Sequence, residues 1–345
     1  MAHAHAVVVG ASLAGLMTAL ALVRRGIDVI MLERSDDSGR TGAALQVGDG
    51  LVERLTGTRS GSPGPGIQTW FSVHAALRTA VDAEPRIRLH HHVAIERVEQ
   101  DADDAWAIAN DGCQFAGDVV IGADGYRSIV RRAVAPDHPD AIFAGYVIWL
   151  GLSDERAVSG RWPGGTAFLE GGGFTFLGYP LPSTDGVCQL GWAWYDAGRG
   201  DLLRETGAVV GGVVQRSLRA DDLPDALFRD LDGQARRLWP APWRDAVRDC
   251  VSRRAVIGTP IAEYVPDRLA NGRLCLVGDA AHVPTPMTGN GFAASLADAE
   301  ALADALVRDT GAAALARYEA VRLGPARDLV RSGQGFSRGF ARAAA

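Results

Sequence analysis

A chain of 345 residues is long enough for two packed modules and a large core. Its 47% apolar and 22% charged residues exclude a disordered chain and describe an ordinary soluble globular protein. With a net charge of -6 and basic residues scattered along the chain, a nucleic-acid footprint is excluded as well.

In chain order, the sequence opens as strand, tight turn, helix and strand. Ala6 to Val9 is a short β-branched run, Gly10 to Gly15 makes the turn, and Leu16 to Arg25 is helical until Gly26 stops it. Ile27 to Leu32 forms the second strand and ends on Glu33, completing a parallel βαβ unit. The apolar run from Ala6 to Val23 is broken by Gly10, Ser12, Gly15 and Thr18, so neither a membrane span nor a signal peptide is expected. The Gly-, Ser- and Pro-rich stretch from Gly57 to Gly66 marks an irregular loop. A helix from about Val73 to Val81 follows, then strand-like runs at Ile87 to Val98, Trp106 to Ala109 and Val119 to Ile121.

The middle third changes character. Gly145 to Leu152, Thr166 to Leu169, Phe174 to Tyr179 and Val187 to Tyr195 are aromatic-rich strands between Gly/Pro turns, with helices between Asp201 and Cys250. Arg273 to Val277 returns to the first style as a strand, and an alanine-rich helix begins near Gly291. The expectation is an α/β protein: a Rossmann-like module of separated segments (1–70, 85–140 and 258–345). A mostly antiparallel sheet is inserted as a second module, 141–257, with parts of 41–84.

Three motifs carry chemistry. The first is Gly10-Ala11-Ser12-Leu13-Ala14-Gly15, with Glu33 eighteen residues beyond Gly15. Gly10 permits the sharp turn, Gly15 allows close helix–strand packing, and the small Ser12 replaces the middle glycine. Amides at the helix N-terminus then face a pyrophosphate, and Glu33 accepts hydrogen bonds from a ribose hydroxyl while repelling a 2′-phosphate. The second motif runs from Asp118 to Arg131, where a buried strand delivers the corner Asp124-Gly125. The third is Gly278-Asp279-Ala280-Ala281-His282 after the strand Arg273 to Val277, with Pro286, Gly291 and Asp298 downstream. Here too a strand presents an aspartate to a cofactor hydroxyl.

These motifs, in this order and at these separations, resemble the class A flavoprotein aromatic hydroxylases, the p-hydroxybenzoate hydroxylase family. There they are the glycine-rich fingerprint, the DG motif and the GD motif. The resemblance covers nearly the whole chain, including the closing Tyr318-Glu319-x-x-Arg322 helix. Trp70, Gly145-Tyr146-Val147-Ile148-Trp149 and Trp192-Ala193-Trp194-Tyr195 are most similar to the 2,6-dihydroxypyridine 3-hydroxylase branch. Some positions depart from the family pattern. Thr288 stands for a glycine and Ala293 for an asparagine; no arginine lies at His74 or Ala75, the nearest being Arg78. Thr41-Gly42-Ala43-Ala44 has one glycine fewer than usual, and the region from Val47 to Gln68 is short.

The resemblance implies an FAD-dependent monooxygenase with no separate NAD(P)H domain. NADH or NADPH reduces the flavin transiently, O2 is captured as a C4a-hydroperoxide, and oxygen passes to a small aromatic or heteroaromatic ring. Carried onto this sequence, the FAD-binding residues are Gly10, Ser12, Leu13, Ala14, Gly15, Glu33, Arg34, Arg40, Ala43, Ala44, Val93, Asp124, Gly125, Gly278, Asp279, Ala280, Gly291, Phe292 and Ala293. Pro286 is expected against the flavin, Tyr179 is the candidate substrate base, and His282 is a motif histidine near the flavin. Trp149, Phe176, Trp192 and Trp194 are candidate pocket residues, core packing of a sheet being the alternative for each; alternation puts Trp192 and Trp194 on one face.

Two other readings fit the same scaffold: a flavin oxidase or dehydrogenase without oxygen insertion, and a non-catalytic flavin-binding protein. A halogenase is set aside, because Tyr195-Asp196 does not continue the Trp-x-Trp element as that motif requires. His90-His91-His92 alternates faces in a strand with no second ligand cluster, so no metal is expected. Cys113, Cys188, Cys250 and Cys275 form no CxxC pair and read as free thiols in a cytoplasmic protein. A monomer or homodimer, with no nucleic-acid or membrane partner, completes the expectation.

Overall fold

The computed structural model describes residues 5–35, 44–57, 63–181 and 187–343. Two sheets organise them. The first has six strands, in the spatial order Ala270–Asn271, Leu274–Leu276, Val119–Gly122, His5–Val9, Asp28–Leu32 and Ile87–His90. All pair in parallel except the outermost, Ala270–Asn271. A parallel sheet is covered on both faces, which is why Ala6-Val7-Val8-Val9 and Val119-Val120-Ile121 are uninterrupted apolar runs with every member buried. The helices Leu13–Arg24 and Gly291–Arg308 pack against each other within that core. The expected single run Ile87 to Val98 is divided. The sheet strand stops at His90, and His92, with φ of 59°, turns the chain before Ile95–Gln100 enters a separate three-stranded meander.

The second sheet has seven antiparallel strands: Ala167–Gly171, Phe174–Leu181, Gln189–Asp196, Ile142–Asp154, Val213–Val214 and Val209–Val210 in that order, with Ile257–Glu263 also paired to Ile142–Asp154. The strand Ile257–Glu263, expected with the first module from residue 258, therefore belongs to the inserted sheet. Its hydrogen-bonding partner lies far back in the chain, and no local signal announces the pairing. Strand alternation divides this sheet into two faces. The helices Asp225–Leu238 and Trp243–Ser252 cover one of them with Leu227, Phe228, Leu231, Trp243 and Val247. The other meets Met287 and, from the 33-residue closing helix Gly311–Ala343, Phe336 and Phe340. Among the described residues, no helix is long and apolar enough to cross a membrane.

Candidate functional site

Because the strands run parallel, the turns after His5–Val9, Asp28–Leu32, Val119–Gly122 and Leu274–Leu276 emerge at one edge of the sheet. The three motif turns touch there. Gly10 has φ of 103°, and a Cβ on it would lie 2.5 Å from the Ala123 carbonyl oxygen, so only glycine lets the fingerprint turn rest on the DG turn. Gly278 has φ of 58°, and a Cβ there would lie 2.5 Å from Ala14 Cβ, which seats the GD turn on the fingerprint helix. Ser12 begins that helix in an extended conformation and makes no side-chain cap, leaving the first-turn amides of Leu13 and Ala14 available to an anion.

Glu33 ends the second strand as the motif requires. Its carboxylate accepts from the Ala11 amide at 2.8 Å and from the Ser35 amide and hydroxyl at 3.0 and 2.7 Å. Burial alone would raise the carboxyl, but these hydrogen bonds and the Arg34 charge outweigh it and hold the group below its ordinary value. Val93 lies beside it, its amide donating to the Glu33 carbonyl at 2.9 Å. Arg34 is exposed and Ala44 half-buried; Arg40 and Ala43 lie outside the described residues. His74, at the position where the family arginine is missing, hydrogen-bonds the Ala11 carbonyl at 3.2 Å and stacks on Trp70 with centroids 4.4 Å apart. The Ala11 residue is thus gripped at both ends, N–H by Glu33 and carbonyl by His74. Arg78 pairs with Asp82 at 2.8 Å.

The DG turn spends its aspartate internally. Asp124 accepts from the Ser128 hydroxyl at 2.5 Å and the Ile129 amide at 2.7 Å, so it caps the helix Ile129–Val134, and burial pushes its carboxyl up. The carboxylate expected to meet the cofactor is thus already hydrogen-bonded within its own turn, beside the Gly125 backbone with φ of 80°. Arg131 closes the second motif, yet the sequence assigns it no role there. Fully buried, it donates to the carbonyls of Pro139, Asp279 and Ala280 at 2.6, 3.2 and 3.0 Å and lies over the Tyr264 ring, joining the DG turn to the GD turn.

Behind the GD turn, Asp298 organises a buried network. One oxygen accepts from the Gly278 amide at 3.0 Å and meets His282 Nε2 at 2.7 Å; the other accepts from Arg322 at 2.8 Å. Burial would raise this carboxyl, yet the His282 and Arg322 charges and the Gly278 amide keep it low. His282 therefore faces this network, not an open site. The other closing-helix motif residues brace the two strands that lead into this turn: Tyr318 donates to the Leu276 carbonyl at 2.7 Å, and Glu319 accepts from the Ala270 amide at 2.8 Å. On the open side stand Asp279, Pro286 and Ala293, all exposed, with Gly291 half-buried and Phe292 and Ala280 buried. Asn290 gives the Gly291–Arg308 helix no side-chain cap, so a second helix N-terminus is free to face negative charge.

The four aromatic residues expected in the pocket come together, but elsewhere. Trp149, Phe176, Trp192 and Trp194 are each 0% exposed on the helix-covered face. Phe176 lies 4.9 Å from Trp239, Trp194 meets Trp239 edge-on at 5.5 Å, and Trp149 Nε1 donates to Asp196 at 3.1 Å. They are core. Tyr179 and Tyr195 occupy the opposite face, with Ile148, Leu150, Leu177 and Met287. Burial pushes both tyrosine hydroxyls well up, which opposes the base role expected of Tyr179. Among the described residues, no group of three or more His, Cys, Asp or Glu side chains could hold a metal.

A family model described as an FAD binding domain matches residues 3–59 and 251–332. The FAD-dependent urate hydroxylase of Klebsiella pneumoniae is 31% identical over 370 residues, covering 94% of this chain and 87% of that protein. The 2,6-dihydroxypyridine 3-monooxygenase of Paenarthrobacter nicotinovorans is 28% identical over 341 residues, 88% and 82% respectively. In fold, the chain is similar to the solved 2,6-dihydroxypyridine-3-hydroxylase from Arthrobacter nicotinovorans, with a TM-score of 0.83 and 24% identity over 99% of this chain and 94% of that one. It is also similar to Klebsiella pneumoniae HpxO complexed with FAD and uric acid, with a TM-score of 0.73 and 23% identity over 99% and 89%.

Proposed function

This chain belongs to the class A flavoprotein monooxygenases, and on that premise we propose that it hydroxylates a small aromatic or heteroaromatic ring held between its motif turns and the tyrosine-bearing face of its inserted sheet. Bound FAD, reduced by NADH or NADPH, supplies the activation of O2 from which one oxygen atom reaches the ring. The residues present fit that group. Gly10, Ser12 and Gly15 with the Leu13 and Ala14 amides take the pyrophosphate; Glu33, flanked by Arg34 and Val93, takes the adenosine ribose. Arg40, Ala43 and Ala44 are assigned to the same cofactor. Asp279 and the Gly125 backbone serve the ribityl chain from the Gly278–Ala280 turn, and Pro286 borders the ring. The free amides at Gly291 to Ala293 stabilise negative charge on it. Tyr179 donates to the substrate's ring oxygen.

The observation that carries this reading is the meeting of all three motif turns at one sheet edge, with two uncapped helix N-termini and a face of tyrosine and aliphatic side chains beyond. The free thiols Cys113, Cys188, Cys250 and Cys275 support a cytoplasmic setting, in which we expect a monomer or homodimer. The test is to supply the holoprotein with NAD(P)H, 18O2 and a panel of hydroxylated pyridines and phenols. One labelled oxygen in the product per NAD(P)H is expected. Peroxide in place of product with every ring that binds points to an oxidase, and failure to take up FAD overturns the reading.

A further inference from the structure

Thr285 stands immediately before Pro286, and its side chain is turned inward, fully buried. Its hydroxyl meets the Tyr146 hydroxyl at 2.6 Å. Tyr146 comes from the inserted module, on the strand Ile142–Asp154, and is 1% exposed. Its ring packs independently of that hydrogen bond, against Tyr195 at 6.0 Å, Phe336 at 6.3 Å and Phe340 at 5.4 Å. Hydroxyl and ring are therefore separable contributions.

The closing helix holds the same turn from another side. A Cβ on Gly333 would lie 2.2 Å from Thr285 Cγ2 and 3.0 Å from Thr288 Cγ2, so this glycine is a notch into which both threonine methyls fit. Thr288, where the family pattern has glycine, returns both its amide and its hydroxyl to the Thr285 carbonyl at 3.1 Å. One helical turn beyond the notch, Ser337 donates to Glu263 of the inserted sheet at 2.5 Å, and its hydroxyl also faces Tyr146. A buried hydroxyl left without its partner is costly, so these bonds hold the turn in one position.

We propose that Tyr146 is a positioning residue: through Thr285 its hydroxyl sets the Pro286–Thr288 turn and the following helix N-terminus, tying the substrate sheet to the loop that borders the flavin. The role toward the flavin rests on the function proposed above. Energetically, one buried hydroxyl pair helps to keep a ring-bordering proline and a set of free amides in place.

The test compares Tyr146→Phe, Thr285→Val and the double variant with the parent holoenzyme, reading amide hydrogen exchange across residues 284–291 and the flavin midpoint potential. Each single variant is expected to speed exchange in that segment about fivefold, the size of one net hydrogen bond. The potential is expected to become more negative, because free amides no longer stabilise the reduced ring. The double variant should be no worse than either single, since both remove the same bond. Parental exchange in Tyr146→Phe overturns the proposal, as do additive effects in the double variant, faster exchange spread equally over strands His5–Val9 and Leu274–Leu276, or an unmoved potential. If no variant or parent takes up FAD, the proposed function fails instead, and exchange in the protein as purified still decides whether Tyr146 sets the turn.

Discussion

One face of the inserted sheet presents Trp149, Phe176, Trp192 and Trp194 to two helices, whereas the other, which also carries Tyr179, presents Tyr146, Ile148 and Tyr195 to the closing helix and to Met287 of the turn that carries Pro286. Both are aromatic. The first is filled by further indoles, Trp239 and Trp243, and the four expected pocket aromatics on it are wholly shut off from solvent. The second is left half-open at Leu150, Leu177 and Phe168, the last 51% exposed. Aromatic density alone therefore measures how much area a face buries. Which face meets a ligand is decided by what else in the chain must be covered. Here the amphipathic helices Asp225–Leu238 and Trp243–Ser252 follow the sheet directly and claim the tryptophan side.

The largest expected effect tests the closed face. Trp194→Ala should cost about 3–5 kcal/mol in denaturant unfolding, the range for deleting a buried aromatic ring. A loss under about 1 kcal/mol would return Trp194 to the pocket. Next comes the buried network behind the GD turn, a polar counterpart of that closed face. Asp298→Asn removes the charged partner of buried His282 and half-buried Arg322 and should cost about 3 kcal/mol. Asp298 is depressed in the folded state, so its contribution is present above the ordinary carboxylate pKa and is lost as pH falls through the lower folded value. Stability measured from neutral pH into acid should therefore fall below about pH 4 in the parent, and less steeply in Asp298→Asn.

Smaller effects belong to the proposed cofactor and substrate contacts. Glu33→Gln weakens charge-assisted bonds to Ala11 and Ser35 and should lower FAD affinity about tenfold in a fluorescence titration. Tyr179→Phe should change stability by no more than about 1 kcal/mol while slowing hydroxylation about tenfold. Because burial raises that hydroxyl, its titration leaves no break in the kcat profile between neutral pH and mildly alkaline conditions. A tyrosine-dependent break near neutrality would restore the base role and narrow the contrast between the two faces.

Much of the cofactor module was legible because its signals are local. A glycine at a left-handed turn, a glycine under a helix and an acid at the next strand end follow from backbone geometry within a few residues, and Gly10, Gly15 and Glu33 take those roles. The second sheet obeys period two, which correctly grouped Trp192 with Trp194 but carries no information on which face is which. The role of Arg131, though the residue lies in the second motif, was hidden for a different reason. Its partners are backbone carbonyls of Pro139, Asp279 and Ala280, and no side-chain pattern marks a carbonyl. Thr288 looked like a departure from the family pattern. It becomes intelligible once Gly333, distant in sequence, is seen to vacate the space its methyl fills.

The order of strands in the parallel sheet also has a consequence for biogenesis. His5–Val9 is made first and lies at the sheet's centre, but Leu274–Leu276 must still dock on Val119–Gly122, and Gly333 must close over Thr285. On the ribosome, the cradle for the nucleotide stays incomplete until residues 274–333 have emerged. Flavin capture is thus expected to follow synthesis of that segment. A translation product that stops short of residue 274 would expose the Val119–Gly122 backbone as an open edge, inviting clumping with other unfinished copies.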